Sequence, residues 1–296
     1  MDSIFKITGG LPQRFRSMSS IASAFLVVGI IYGPASPVFA QGSGDLVVSP
    51  TRIVLEGRTR SASLSLVNRG SNTSTYRISV INMKMQENGQ YTEITDPNEK
   101  GFFADKLIRY SPRRVVLEPG AFQAIRILLR KPADLAEGEY RSHIFIRGVP
   151  KDVQGRSIEQ TAPKDNNVSI QLVPIYGVTL PIIVRNGNLD HNIDLSDIKL
   201  VTDEKSKESL LQLKLNRTGT SSSFGDIRVT HQVGGQETVI GELNKLAVYT
   251  PNKSRLVEVR LRVPDGINIT SGTLNVTYKS PEADGRTIAQ ATHTIN

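Results

Sequence analysis

Residues 168–184 read VSIQLVPIYGVTLPIIV, seventeen residues without a charge. In the first half Val168, Ile170 and Leu172 alternate with Ser169 and Gln171. A period of two makes a strand with one apolar face. The second half, ending at Val184, is apolar on both faces, as in a strand buried between layers. Pro174 stands in the middle. Proline has no N–H for a central ladder, so it marks an edge strand or a bulge. Two readings stand at this point. In one, the stretch is the last strand of an ordinary β-sandwich and its even-numbered face is core. In the other, the edge is left open because another chain adds a strand there. An uncharged apolar edge is a hazard that soluble proteins normally blunt, so the second reading needs support from elsewhere in the chain.

Working outward, the chain before this stretch consists of short strands punctuated by turns. Strands are expected at 52–55, 62–66, 76–83, 91–94, 108–117, 122–129 and 139–149, with Gly57 and Pro119-Gly120 as turn signals. The segment 151–167 is polar and long, and it joins two strong strands. Such a loop is either functional or a floppy hairpin tip. Asn186-Gly187-Asn188 is a turn-rich break and sets the expected domain boundary, giving domains at 41–185 and 186–296. Beyond it strands are expected at 193–200, 211–215, 227–233, 239–243, 256–263, 274–278 and 287–294. Gly234-Gly235, Pro264-Asp265-Gly266 and Asp284-Gly285 supply the turns. No window has helical periodicity. The fold class is all-β, two sandwiches in tandem.

The N-terminus carries Lys6, Arg14 and Arg16, then an apolar run at 21–31, then Pro34, Pro37 and Val38-Phe39-Ala40. This resembles a secretory signal peptide cleaved after Ala40. A signal anchor is the alternative, but eleven apolar residues fall well short of the ~20 that a spanning helix needs. Cleavage would leave 256 residues starting at Gln41. The leader holds three bases and one acid, so the net charge falls from +8 to +6. The bases are scattered, which argues for a mildly basic surface rather than a nucleic-acid site. The chain has no cysteine, so stability in an exported protein would rest on its cores.

Catalytic motifs are absent. His143, His191, His231 and His293 have no metal-ligand spacing, so no metal or cofactor is expected. There is no nucleophile elbow, phosphate-binding glycine loop or zinc-protease signature. Carboxylate pairs such as Asp203-Glu204 lie in charged, loop-like sequence. Neither an enzyme nor a small-molecule substrate is expected.

Four motifs in order carry a resemblance. Val48-Ser49-Pro50-Thr51-Arg52 with Leu55-Glu56-Gly57 resembles the first strand of periplasmic pilus-assembly chaperones of the chaperone–usher (PapD-like) family. Leu117-Glu118-Pro119-Gly120 with Arg126 resembles that family's L-x-P-G-x5-R signature. Glu139-Tyr140-Arg141-Ser142 through Val149-Pro150 resembles its F strand, and residues 168–184 fall where its G strand lies. The similarity covers residues 46–184. It implies two immunoglobulin-like sandwiches and a partner, the surface-fibre subunit, that lacks its last strand. The chaperone would lend its G strand to that subunit and hand it to an outer-membrane usher. The resemblance makes Val168, Ile170, Leu172, Pro174 and Tyr176 the donor strand. It also implies a basic pair in the interdomain cleft that holds the subunit's C-terminal carboxylate. Arg52 is the arginine of that pair, and the lysine position carries Thr179. A two-residue shift would instead make Arg185 an interdomain arginine paired with Glu139, and both registers stay open here. The expected function is that of a periplasmic chaperone. The alternatives are a structural or adhesive module of a surface fibre and a sandwich-fold hydrolase.

Overall fold

Small polar and apolar residues alternate along most of the chain, and each alternating run becomes a strand with one face inward. The computed structural model describes residues 45–96, 98–150, 175–203, 208–264, 267, 269–281 and 285–295. The leader with its cleavage point, the 151–167 segment and most of Pro264-Asp265-Gly266 lie outside the described residues. Among the described residues all eighteen elements are strands.

The first eleven are β1 (Leu46–Ser49), β2 (Ile53–Leu55), β3 (Ser61–Asn68), β4 (Ser74–Ile81), β5 (Met83–Met85), β6 (Tyr91–Glu93), β7 (Ile108–Ser111), β8 (Arg114–Leu117), β9 (Phe122–Leu129), β10 (Gly138–Val149) and β11 (Gly177–Asn186). They form a four-stranded sheet, β1-β3-β9-β7, and a five-stranded sheet, β2-β11-β10-β4-β8. Leu64 and Leu66 of β3 and Ile125 and Ile127 of β9 project from one sheet. Ile144 and Ile146 of β10 and Leu180, Ile182 and Val184 of β11 meet them from the other, all buried in one core.

The remaining strands are β12 (His191–Thr202), β13 (Ser209–Gly219), β14 (Ser223–Val233), β15 (Gln236–Val248), β16 (Ser254–Arg260), β17 (Gly272–Lys279) and β18 (Thr287–Ile295). They form the sheets β12-β13-β16 and β15-β14-β17-β18 around a second core that includes Leu213, Val229, Ile240, Val257 and Tyr278. Gly234 and Gly235 both take positive φ at the β14–β15 turn, where a side chain would be strained.

The expected strand at 108–117 is two strands in two sheets. β7 pairs with β9, and β8 pairs with β4. Pro112 lies between them and has no N–H to carry a ladder across. The first expected strand, 52–55, is β2, and β1 is an additional strand before it that was not expected: β1 pairs with β3, Pro50 and Arg52 follow, and β2 joins the other sheet. The strand expected at 76–83 ends at Ile81, and β5 begins at Met83. The strand expected at 91–94 is β6, which pairs with β5 in a separate hairpin and joins neither sandwich sheet.

That hairpin lies between the sandwiches. Asn252 Nδ2 donates to the Met85 carbonyl at 2.9 Å, and the Leu256 N–H donates to the Glu87 carbonyl at 2.8 Å. Lys214 pairs with the Glu87 carboxylate at 3.3 Å. Gly89, at φ +84°, sits against the Arg255 guanidinium, where an added Cβ would fall 2.4 Å from Nη2. A third apolar cluster seals the junction: Met85, Ile183 and Val54 from the first sandwich, Ala247, Tyr249 and Phe224 from the second.

Candidate functional site

β11 has two different halves. β10 pairs with it from Gly177 to Asn186. On its other side β2 covers only Ile182–Val184, in parallel register. From Gly177 to Pro181 that side has no strand among the described residues. Pro181 falls in this uncovered part, where its missing N–H costs least. Phe145 lies over Gly177, where a Cβ would fall 2.4 Å from its ring, so the strand there runs close to its neighbour's side chain. Thr179, opposite Phe145, is exposed, as is Tyr176 just before the strand. Val168, Ile170, Leu172 and Pro174 lie outside the described residues.

The pleat decides what faces the second sandwich. Leu180, Ile182 and Val184 point into the first core, so Pro181, Ile183 and Arg185 point the other way. On β10 the matching outward residues are Glu139, Arg141 and His143, and all three are buried.

Arg185 and Glu139 meet at the junction. Arg185 Nε donates to Glu139 Oε2 at 3.1 Å, and its Nη1 donates to Glu56 at 3.0 Å. From the second sandwich the Ser222 N–H donates to Glu139 Oε2 at 3.0 Å, and the Thr250 hydroxyl donates to Oε1 at 3.3 Å. The Ser222 hydroxyl donates to Oε1 as well. Arg185 Nη2 reaches back to the Ser222 carbonyl at 3.3 Å. A fully buried carboxylate is tolerable only with such a set of charge-assisted partners. Burial works against the Arg185 charge, and Glu139 and Glu56 more than restore it, so its pKa ends above the usual value.

Arg52 precedes β2 and is half-buried, with Cζ 4.6 Å from the centre of the Phe224 ring. Ile53 is in register with Ile182, so extending the ladder by one residue sets Arg52 level with Pro181. Thr179 is two residues further along. The residue of β11 beside Arg52 is therefore uncharged.

Several residues of this junction carry no sequence motif. Arg141 lies over the Tyr249 ring at 4.4 Å, and its Nε and Nη1 have no hydrogen-bond partner among the described residues. Burial pulls its pKa down, against the nearby Tyr91, Tyr249 and Glu139. Burial, with Arg141 adding to it, lowers His143 to about 3, so the ring is neutral; Tyr91 stands edge-on to it at 5.4 Å. Burial also raises Tyr91 to about 12 and raises Tyr249, whose shift Arg52 and Arg141 oppose. The one signal in the sequence was the alternation on β10, where Glu139, Arg141 and His143 interrupt an apolar strand at every second position. Such a pattern reads equally well as a solvated face. Among the described residues no three His, Cys, Asp or Glu side chains form a metal-binding group.

No protein-family model matches the chain, and no curated protein matches it. Among solved structures the chain is similar to YadV chaperone, at 13% identity over 84% of this chain and 99% of that one, with a TM-score of 0.42. It is similar to the chaperone DraB of E. coli, at 15% identity over 85% and 96% of the two chains, TM-score 0.40. It is also similar to a chain from the complex of the Salmonella enterica SafA pilin with the SafB chaperone, at 13% identity over 84% and 95%, TM-score 0.41.

Proposed function

We propose that this chain is a periplasmic chaperone that binds surface-fibre subunits by strand addition along β11 and the residues preceding it, and delivers them to an outer-membrane usher. The observation that carries the reading is the edge of β11 that no strand among the described residues pairs from Gly177 to Pro181. An exposed edge offers backbone N–H and C=O groups to a partner strand, and alternate side chains then fill the partner's pockets. In this reading Val168, Ile170 and Leu172 are the inserted side chains. Burying each contributes roughly 1.5–3 kcal/mol before ordering costs. Arg52, beside this edge and without a charged neighbour on β11, holds the subunit's terminal carboxylate. Glu139 and Arg185 fix the two sandwiches so that edge and cleft stay aligned. The first forty residues are a leader removed after Ala40, and the domains divide at 185/186.

The test is co-purification with a subunit lacking its last strand. Ile170→Asp with Leu172→Asp should abolish capture and leave the thermal melt unchanged. A double variant that still captures the subunit, or one that unfolds, overturns the strand-donation reading. Arg52→Ala should weaken binding of a subunit peptide with a free C-terminus by roughly 1.5–3 kcal/mol, with no effect on the amidated peptide. Equal binding of both peptides by wild type removes the carboxylate role. Mass spectrometry of the periplasmic protein should find Gln41 at its N-terminus.

A further inference from the structure

The outer face of the sheet β2-β11-β10-β4-β8 carries a row of cations. Tyr76 and Ile78 on β4, Val115 on β8 and Ile146 on β10 point into the first core. Arg77, Arg114 and Arg147 each stand next to one of these in sequence, so they point outward. The register sets Arg77 directly opposite Arg147 on one side and Arg114 on the other. All three are exposed. Neighbouring strands lie about 5 Å apart, so the row is roughly 10 Å across.

Like charges directly opposite one another destabilise a sheet. Among the described residues none of the three has an ion pair or a hydrogen bond to relieve this. Their outward neighbours are Thr75 and Ser79 on β4, Val116 on β8, and Phe145 and Val149 on β10, with no acid in the set. The nearest acid in sequence is Glu118, just past the end of β8. The second sandwich treats its exposed bases differently: Arg228 pairs with Glu242 and Arg260 with Glu208, both at 2.9 Å. Three aligned guanidinium groups without counter-charges fit an anion supplied from outside, and arginine's planar fork suits phosphate in particular.

Beside the cations lies an aliphatic row. Val149, Thr75 and Val116 are in register across the same three strands, two residues further along each. Val116 is 62% exposed and Val149 36%. Two residues advance a strand by about 7 Å, so the two rows run side by side on one face. A soluble polyanion would use the arginines and leave the valines in water. An anionic bilayer uses both rows, because it offers phosphates and hydrocarbon next to each other across a plane. Arginine is long and keeps its head at phosphate level while shorter apolar side chains sit deeper. The net charge of +6 on residues 41–296 adds attraction at longer range.

We propose that this face seats on a membrane of anionic phospholipid. Arg77, Arg114 and Arg147 hold headgroup phosphates, and Val116 and Val149 enter the boundary with the acyl chains.

The test is co-sedimentation of the protein recovered from the periplasm with vesicles of phosphatidylglycerol and phosphatidylcholine, beside vesicles of phosphatidylcholine alone. The anionic vesicles should bind at least about tenfold more tightly. Each base at a membrane surface contributes roughly fivefold, so Arg77→Gln with Arg114→Gln should weaken that binding about 25-fold. Arg228→Gln with Arg260→Gln removes the same charge from another face and should weaken it less than about threefold. The two double variants share one N-terminus, so the apolar run at 21–31 affects both alike. Val116→Ser should weaken vesicle binding several-fold and leave binding of polyglutamate, a soluble polyanion, unchanged. Neither double variant touches the open edge of β11, so subunit capture is tested separately. No binding to anionic vesicles, equal binding to both kinds, equal loss in the two double variants, or full affinity in Val116→Ser each overturns the proposal. Polyglutamate binding that falls with Arg77 and Arg114 while vesicles are ignored assigns the row to an acidic protein, and overturns it as well.

Discussion

The two halves of β11 share one strand and one apolar character but differ in what surrounds them. Ile182–Val184 has β2 on one side, β10 on the other, one core beneath and the second sandwich above. Among the described residues Gly177–Pro181 pairs with β10 alone. Charge does not separate the two halves, since neither carries any; the number of covered sides does. A strand closed on every side is scaffold. The same strand with one edge open is available for pairing, and its anchored half holds that edge in place.

Four changes test how far the two halves differ. The largest effect belongs to the anchor beside the closed half. Glu139→Ala leaves Arg185 Nε, the Ser222 N–H and the Thr250 hydroxyl without their acceptor, with Glu56 still paired to Arg185, and should cost about 3–5 kcal/mol in urea denaturation. Ile182→Ala opens a cavity under the closed half and should cost roughly 2–4 kcal/mol, read the same way. A loss below about 1 kcal/mol would show that this half is no better packed than the open one.

The third change uses pH. His143 has a folded pKa of about 3, far below the ordinary 6.5, because it is buried beside Arg141. Below pH 6.5 the unfolded chain takes up a proton that the folded chain refuses, so stability is lost as pH falls toward about 3. At pH 5 wild type should have lost roughly 1–2 kcal/mol more, relative to pH 7.5, than His143→Leu has. Parallel pH profiles for the two proteins would mean that the outer face of β10 is wetter than its burial indicates. The smallest effect belongs to the open half. Thr179→Ser should change stability by less than about 0.5 kcal/mol. If it destabilises as much as Ile182→Ala does, the two halves are not different in kind.

Much of the strand pattern was legible because alternation reports which residues face a core. Ser61–Asn68 is the clearest case, with Leu64 and Leu66 inward and serines outward. The division at Pro112 could also have been seen. Ile108 faces inward at an even position, whereas Val115 and Leu117 face inward at odd ones. One strand cannot change parity without a bulge or a break. The junction was far less legible. Arg141 and His143 stand opposite the apolar face of β10, and alternation says only that they avoid the first core. Whether a second layer covers Arg141 depends on Tyr249, more than a hundred residues away in the chain, and no local pattern encodes that. Arg52 and Glu139 stood out in the sequence only because family motifs marked their positions.

The β5–β6 hairpin has a consequence in time. Its bond from Asn252 to Met85 joins residues 167 apart in sequence. A contact so distant cannot form until most of the chain has emerged, and domains fold largely in the order in which they appear. The first sandwich therefore assembles its own core while the outer face of β10 is still wet. Arg141 and Glu139 lose their water last, when the second sandwich arrives carrying Ser222, Thr250 and Tyr249 to receive them. Burial of charge, the costliest step in building this junction, is deferred until its partners are present.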